Sequence, residues 1–221
     1  MATIKELVEF IQKGANDKLE AALKEDSALA DAKTEQGISL LQFSTYCRNK
    51  IAIELLLKRK SRLDIYEAAG IGDVGRVAGE VEKQLTLVNS FSFDGFTPLG
   101  LACFFGHHLV ASFLISKGAN VNTPSNNSFK VAPIHSACAI SDLELTTLLV
   151  KNGANVNAKQ QAGATPLHEA AHHGKVALSK LLIDNGAEVN AVMENGQTPL
   201  AMAEEKNFEE VATLLRSRGA K

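Results

Sequence analysis

The sequence predicts an all-α solenoid: about seven helix-turn-helix units, stacked side by side and joined by short β-hairpin-like fingers. Three observations predict it. Segments starting at Thr97, Ala132, Thr165 and Thr198 repeat one pattern at spacings of 35, 33 and 33 residues. Each has Pro immediately after its first residue, where a fixed φ suits the first helical turn, and Gly where a helix must stop. The composition is 45% hydrophobic but only 5% aromatic, with no Trp, which suits helices packed closely through Ala and Leu. A unit of this length cannot bury its apolar face alone, so copies must stack.

The unit at Thr165 (TPLHEAAHHGKVALSKLLIDNGAEVN) shows why each position recurs. The Thr165 hydroxyl caps free N–H groups and Pro166 opens the first helix. Ala170 and Ala171 let neighbouring helices approach, and Gly174 stops the helix. Val176 to Ile183 supply the apolar stripe of a second, antiparallel helix, with Leu181 and Leu182 as its core pair. Gly186 then turns the chain into a finger that ends at Gly196. Upstream, LDIYEAAGIGDVGRV from Leu63 and SLLQFSTYCRNKIAIELLL from Ser39 match the same first helix and turn, and residues 4–23 form a degenerate first copy.

This pattern resembles the ankyrin-repeat family, strongly over residues 90–221 and more loosely over residues 3–89. The resemblance implies a single domain over residues 1–221. Residues 1–62 hold two divergent units, 63–197 the regular ones and 198–221 a C-terminal cap, for which the polar run Glu204, Glu205, Lys206, Asn207 is suited. It also implies a concave groove of finger tips and first-helix ends that binds other proteins. Two features depart from the pattern. Between Leu57 and Leu63 no finger fits, which interrupts the groove near residue 60. Residues 123–130 (TPSNNSFK) lengthen one finger by two residues, and a long exposed loop is where function can concentrate.

A net charge of -2 argues against nucleic acid and polybasic membrane binding, since phosphate neutralisation needs clustered Lys and Arg. Glu6 and Glu9 interrupt the N-terminal stretch, which reads as neither a signal peptide nor a membrane span. Cys47, Cys103 and Cys138 are odd in number and lie in apolar runs, so they read as buried, reduced residues and place the chain in the cytoplasm.

His168-Glu169-Ala170-Ala171-His172 matches the HExxH zinc-hydrolase pattern, two His one turn apart with a Glu base. In the ankyrin reading His168 instead hydrogen bonds within and between units, the two Ala are packing residues, and no third ligand is placed. His135 holds the equivalent place one unit earlier, while Gly100 and Ala201 in that place remove a polar tie. Lys58, Arg59, Lys60 and Arg62 read as the charged close of a helix rather than an anion site. No phosphate-binding glycine loop occurs. The chain is therefore expected to be non-catalytic and to need no cofactor or metal.

By the resemblance, partner contacts fall on finger tips and on the two residues before the first-helix glycine. In the unit at Thr97 these are Phe93, Asp94, Phe96, Phe104 and Phe105. With Phe91, half of the ten Phe lie near this unit, an aromatic enrichment expected of a binding hot spot. The same surface continues through Tyr46, Ile71, Phe129, Ile140, His172 and His173. The expected partner is a folded protein or an extended peptide, bound by a monomer; a self-associating scaffold is the alternative.

Overall fold

The structure, a computed structural model, describes residues 2–221. Among them fourteen α-helices form seven antiparallel pairs. These are α1 (Ile4–Lys13) with α2 (Asn16–Glu25), α3 (Leu40–Tyr46) with α4 (Lys50–Leu57) and α5 (Ile65–Ile71) with α6 (Val74–Lys83). Then come α7 (Pro98–Phe105) with α8 (His108–Ser116), α9 (Pro133–Ala139) with α10 (Leu143–Lys151), α11 (Pro166–His172) with α12 (Val176–Asp184) and α13 (Pro199–Glu205) with α14 (Glu209–Ser217). The fingers are tight turns, their bases joined by backbone bonds from Thr34 to Ile38, Ser92 to Phe96, Ser125 to Val131, Gln160 to Ala164 and Met193 to Gln197. A single bridge, Lys33 to Ser39, is the extent of β pairing among the described residues. As the spacing predicts, α4 runs through residues 58–64 into α5 with no finger between them.

The first helices begin as the Thr-Pro signal requires. The Thr97 hydroxyl accepts from Gly100 N–H at 3.0 Å and the Thr198 hydroxyl from Ala201 N–H at 3.2 Å. The units with Gly100 and Ala201 thus keep their cap. What the unit with Gly100 loses is the reach of histidine to the next unit. His135 Nδ1 accepts from Ala132 N–H at 3.2 Å while its Nε2 donates to Ala158 O at 2.9 Å, at the base of the following finger. His168 does the same between Thr165 and Gln197 O, at 3.2 and 3.3 Å.

Both imidazoles are held below the ordinary histidine range, burial being the largest cause. Because the folded chain prefers the neutral form, the unfolded chain binds more protons at low pH. The stability these groups contribute is complete above the unfolded value of 6.5 and is lost as pH falls from there through their lower folded values. Urea midpoints measured from pH 8 down to pH 5 are expected to decline below about 6.5, and to decline less in His135→Gln.

Aliphatic side chains fill the stack in two bodies. One cluster runs from Leu7 to Leu63 and the other from Ile65 to Leu215. In the second body an asparagine ladder ties successive units: Asn89, Asn122, Asn157 and Asn190 donate to Gly118, Gly153, Gly186 and Gly219 carbonyls at 2.9–3.0 Å. The ladder begins at Asn89 and does not cross the joint at residue 60.

Charge holds that joint. Lys60, its side chain 7% exposed, lies 3.1 Å from Glu67 Oε1 and 3.2 Å from Asp31 Oδ1. Glu67 is itself buried and accepts from Asp64 N–H through Oε2. Arg62 and Lys83 flank Glu80 at 2.7 and 2.8 Å, and Arg59 donates to Leu55 O. The basic run therefore closes α4 and is largely committed within the fold.

Candidate functional site

The first-helix ends converge on an apolar cleft of about 450 Å3, lined by Ile53, Ile71, Phe104, Phe105, His107 and Ile140 with Thr45 and Gly70 at its floor. Local structure explains the convergence. α5 and α7 end in left-handed glycines, Gly72 (φ 83) and Gly106 (φ 76), which turn the chain sharply just after Ile71 and Phe105. At both sites a side chain packs where a Cβ would be. A Cβ on Gly72 would fall 2.6 Å from the His107 ring and one on Gly106 3.3 Å from Ile140. His107 Nε2 donates to Gly70 O at 2.9 Å, fixing the ring beside Phe105.

Phe104 and Phe105 wall one side, with Tyr46 and Phe96 packed behind them. Phe104 and Phe105 meet edge to face at 5.0 Å, Tyr46 lies 6.0 Å from Phe104 and 5.5 Å from Phe105, and Phe96 lies 6.3 Å from Phe104. Phe104 is 37% exposed. Arg48 and Lys50, exposed at the rim, have no ion pair among the described residues.

Of the residues expected to bind, Ile71, Phe104, Phe105 and Ile140 meet here. Others do not. Tyr46 sits behind the rings, its hydroxyl donating to Asp94, which also accepts from Ser92. Burial and then that carboxylate raise the Tyr46 pKa. Asp94 is engaged by these bonds, and Phe96 packs half-buried against the core. Phe93 is 78% exposed on the finger side, and Phe129 is 56% exposed on the lengthened loop. His172 and His173 are exposed two units beyond that of Phe104, their rings 5.1 Å apart.

Ile53, His107, Arg48 and Lys50 escape a reading that looks only at fingers and first-helix ends. Ile53 lies on a second helix, α4, and lines the cleft together with the ends of α5, α7 and α9.

A family model described as ankyrin repeats (3 copies) matches residues 4–160 and 134–221. The chain belongs to the ankyrin-repeat family. Relatives include an ankyrin repeat protein of Acanthamoeba polyphaga mimivirus, 24% identical over 73% of this chain and 21% of its own length. The RelA-associated inhibitor of Mus musculus is 30% identical over 45% of this chain and 12% of its own. The human BCL-6 corepressor-like protein 1 is 33% identical over 53% of this chain and 6% of its own. The chain thus spans about a fifth of these relatives' length or less. Ankyrin repeats are generally protein-interaction modules without catalytic chemistry of their own.

In this ankyrin stack His168 has both ring nitrogens engaged, Nδ1 at Thr165 and Nε2 at Gln197, so the HEAAH segment gives it to the repeat scaffold. Glu169 accepts from Gln160 at 2.8 Å. The described residues contain no cluster of three or more His, Cys, Asp or Glu placed to hold a metal, and no helix long and apolar enough to cross a membrane. Cys103 and Cys138 are buried as expected, and burial pushes the Cys138 thiol up to about 12. Cys47 is exposed, a correction: it caps α3 at the turn into Arg48, beyond the apolar run.

Proposed function

We propose that this chain is a non-catalytic interaction module that receives apolar side chains of a partner protein in the helix-end cleft. The observation that carries the reading is the convergence of Ile53, Ile71, Phe104, Phe105 and Ile140 from both bodies on one open apolar cavity. Apolar and aromatic groups gathered in a desolvated pocket are the usual anchors of an interface. The unpaired Arg48 and Lys50 favour a partner with an acidic residue beside its apolar anchor, an arrangement that speeds encounter and sets register. The relatives named as an inhibitor associated with RelA and as a corepressor-like protein fit a regulatory module of this kind. The chain acts as a monomer in the cytoplasm, without cofactor, nucleic acid or membrane.

The test is capture from a lysate of the source cells by wild type and by Phe104→Glu/Ile140→Glu, both positions being partly exposed and the variant first checked for an unchanged melting temperature. A partner retained by wild type is expected to fall about tenfold or more in the variant, as removal of central anchors usually costs 2 kcal/mol or more, roughly. Retention of the same proteins by both would sink the reading.

A further inference from the structure

On the finger side, the missing finger leaves a second cleft of about 160 Å3 between the turns at Gly37 and Phe93, floored by Gln42, Asp64 and Glu67. Elsewhere in the stack each finger is tied to the one before it. The residue after the start of the turn donates its N–H to a tip carbonyl of the preceding finger: Asn126 to Gly95 at 2.7 Å, Gln161 to Phe129 at 2.9 Å, Glu194 to Ala162 at 2.9 Å. Phe93 holds the equivalent place, and the finger it should reach is absent. Its N–H has no partner among the described residues, nor have the tip carbonyls of Gln36 and Gly37 across the gap. The Phe93 ring lies across Gly37 instead, where a Cβ would fall 2.5 Å from it.

Gln42 shows the same loss from below. It occupies the third helical position of its unit, where His135 and His168 stand in theirs, and those side chains donate to the finger that follows. No finger follows α4. The Gln42 amide accordingly reaches no finger: the residue is 5% exposed, neither Nε2 nor Oε1 makes a hydrogen bond within 3.5 Å, and the Tyr46 hydroxyl is the polar group beside it. It lies against Gly70, where a Cβ would fall 2.8 Å from Oε1. Backbone and side-chain polar groups left unpaired in this way favour whatever can pair them.

We propose that this cleft is a binding site distinct from the helix-end cleft, and that its ligand is an extended peptide segment of a partner protein that takes the place of the missing finger. The segment's carbonyls accept from Phe93 N–H and, after rotation of the outer side-chain torsions, from Gln42 Nε2. Its own N–H donates to the tip carbonyls at Gln36 and Gly37. This is strand addition to an unpaired edge, with affinity drawn from main-chain bonds. With Glu67 set against Lys60, Asp64 and Asp94 still outnumber Lys33 around the cleft, so the segment is neutral or basic rather than acidic.

The chain supplies a probe of this chemistry. A synthetic peptide copying residues 155–165 (NVNAKQQAGAT) reproduces the finger to which His135 donates and carries Lys159 without any acid. The full chain, isotopically labelled, is titrated with it and followed by amide NMR. Saturable shifts are expected at Phe93, Gly37 and the Gln42 side-chain amide. Phe93 is the second residue of a turn closed from Gly95 N–H to Ser92 O, a position that accepts Pro. Phe93→Pro, which removes the donor, is expected to weaken binding about tenfold, the worth of one backbone hydrogen bond, while Phe93→Ala retains it. Gln42→Met, of similar volume, is expected to weaken binding yet raise the melting temperature. Absence of shifts, equal binding to Phe93→Pro, or shifts confined to Ile71, Phe104 and Ile140 would each overturn the proposal. Shifts at Phe93 and Gly37 on concentrating the protein alone would overturn it in favour of a second copy as occupant.

Discussion

Lys60→Met is expected to lower stability by about 3 kcal/mol and to split unfolding into two transitions. The Lys60 ammonium is the counter-charge of Glu67, whose side chain is 5% exposed, and removing one partner of a buried pair leaves an uncompensated charge. The effect concentrates at the joint. There the two apolar clusters meet with no intervening finger and no asparagine tie, so charge carries more of the coupling than elsewhere in the stack. In a solenoid each unit feels only its neighbours, and weakening one interface lets the segments on either side melt separately. Urea titration followed by far-ultraviolet circular dichroism checks it: two midpoints are expected in Lys60→Met. The double variant Lys60→Met/Glu67→Leu should recover most of the loss, because removing both charges removes the desolvation penalty too. A single transition with unchanged midpoint in Lys60→Met would show that the joint is held by packing instead.

Leu101→Ala is expected to cost about 3 kcal/mol, the range for a fully buried leucine whose surroundings relax only in part. Leu101 is 0% exposed on α7, which packs between α5 and α9. The loss should appear almost wholly in the body that starts at Ile65. In the Lys60→Met background, the transition of residues 4–57 should keep its midpoint while that of the second body moves to lower urea. A shift of both by the same amount would mean that the two bodies unfold as one unit.

These expectations rest partly on what could be read along the chain. The Thr-Pro starts, the glycine stops and the 33-residue spacing placed α7 to α14, because capping and left-handed turns are satisfied by residues a few positions apart. The gap at residue 60 was legible for the same reason: seven residues between two helix patterns leave no length for a finger. Ile71, Phe104, Phe105 and Ile140 were found by their repeat position, which fixes the end of the helix on which each sits.

What stayed hidden depends on neighbours distant in sequence. Asp94 reads as a finger-tip residue, and only stacking shows that Tyr46, 48 residues away, also holds its carboxylate. Ile53 enters the cleft only because stacking brings α4 to the same opening as the first-helix ends of later units. Gln42 looks like an ordinary polar residue near a helix start until stacking shows that the finger its amide should reach is missing. The sequence alone determined the repeat, its helices and its interruption, since local propensity and spacing carry those choices. The tertiary structure alone decided which polar groups find partners and which apolar ones stay open, because pairing and burial belong to surfaces that exist only once the units stack.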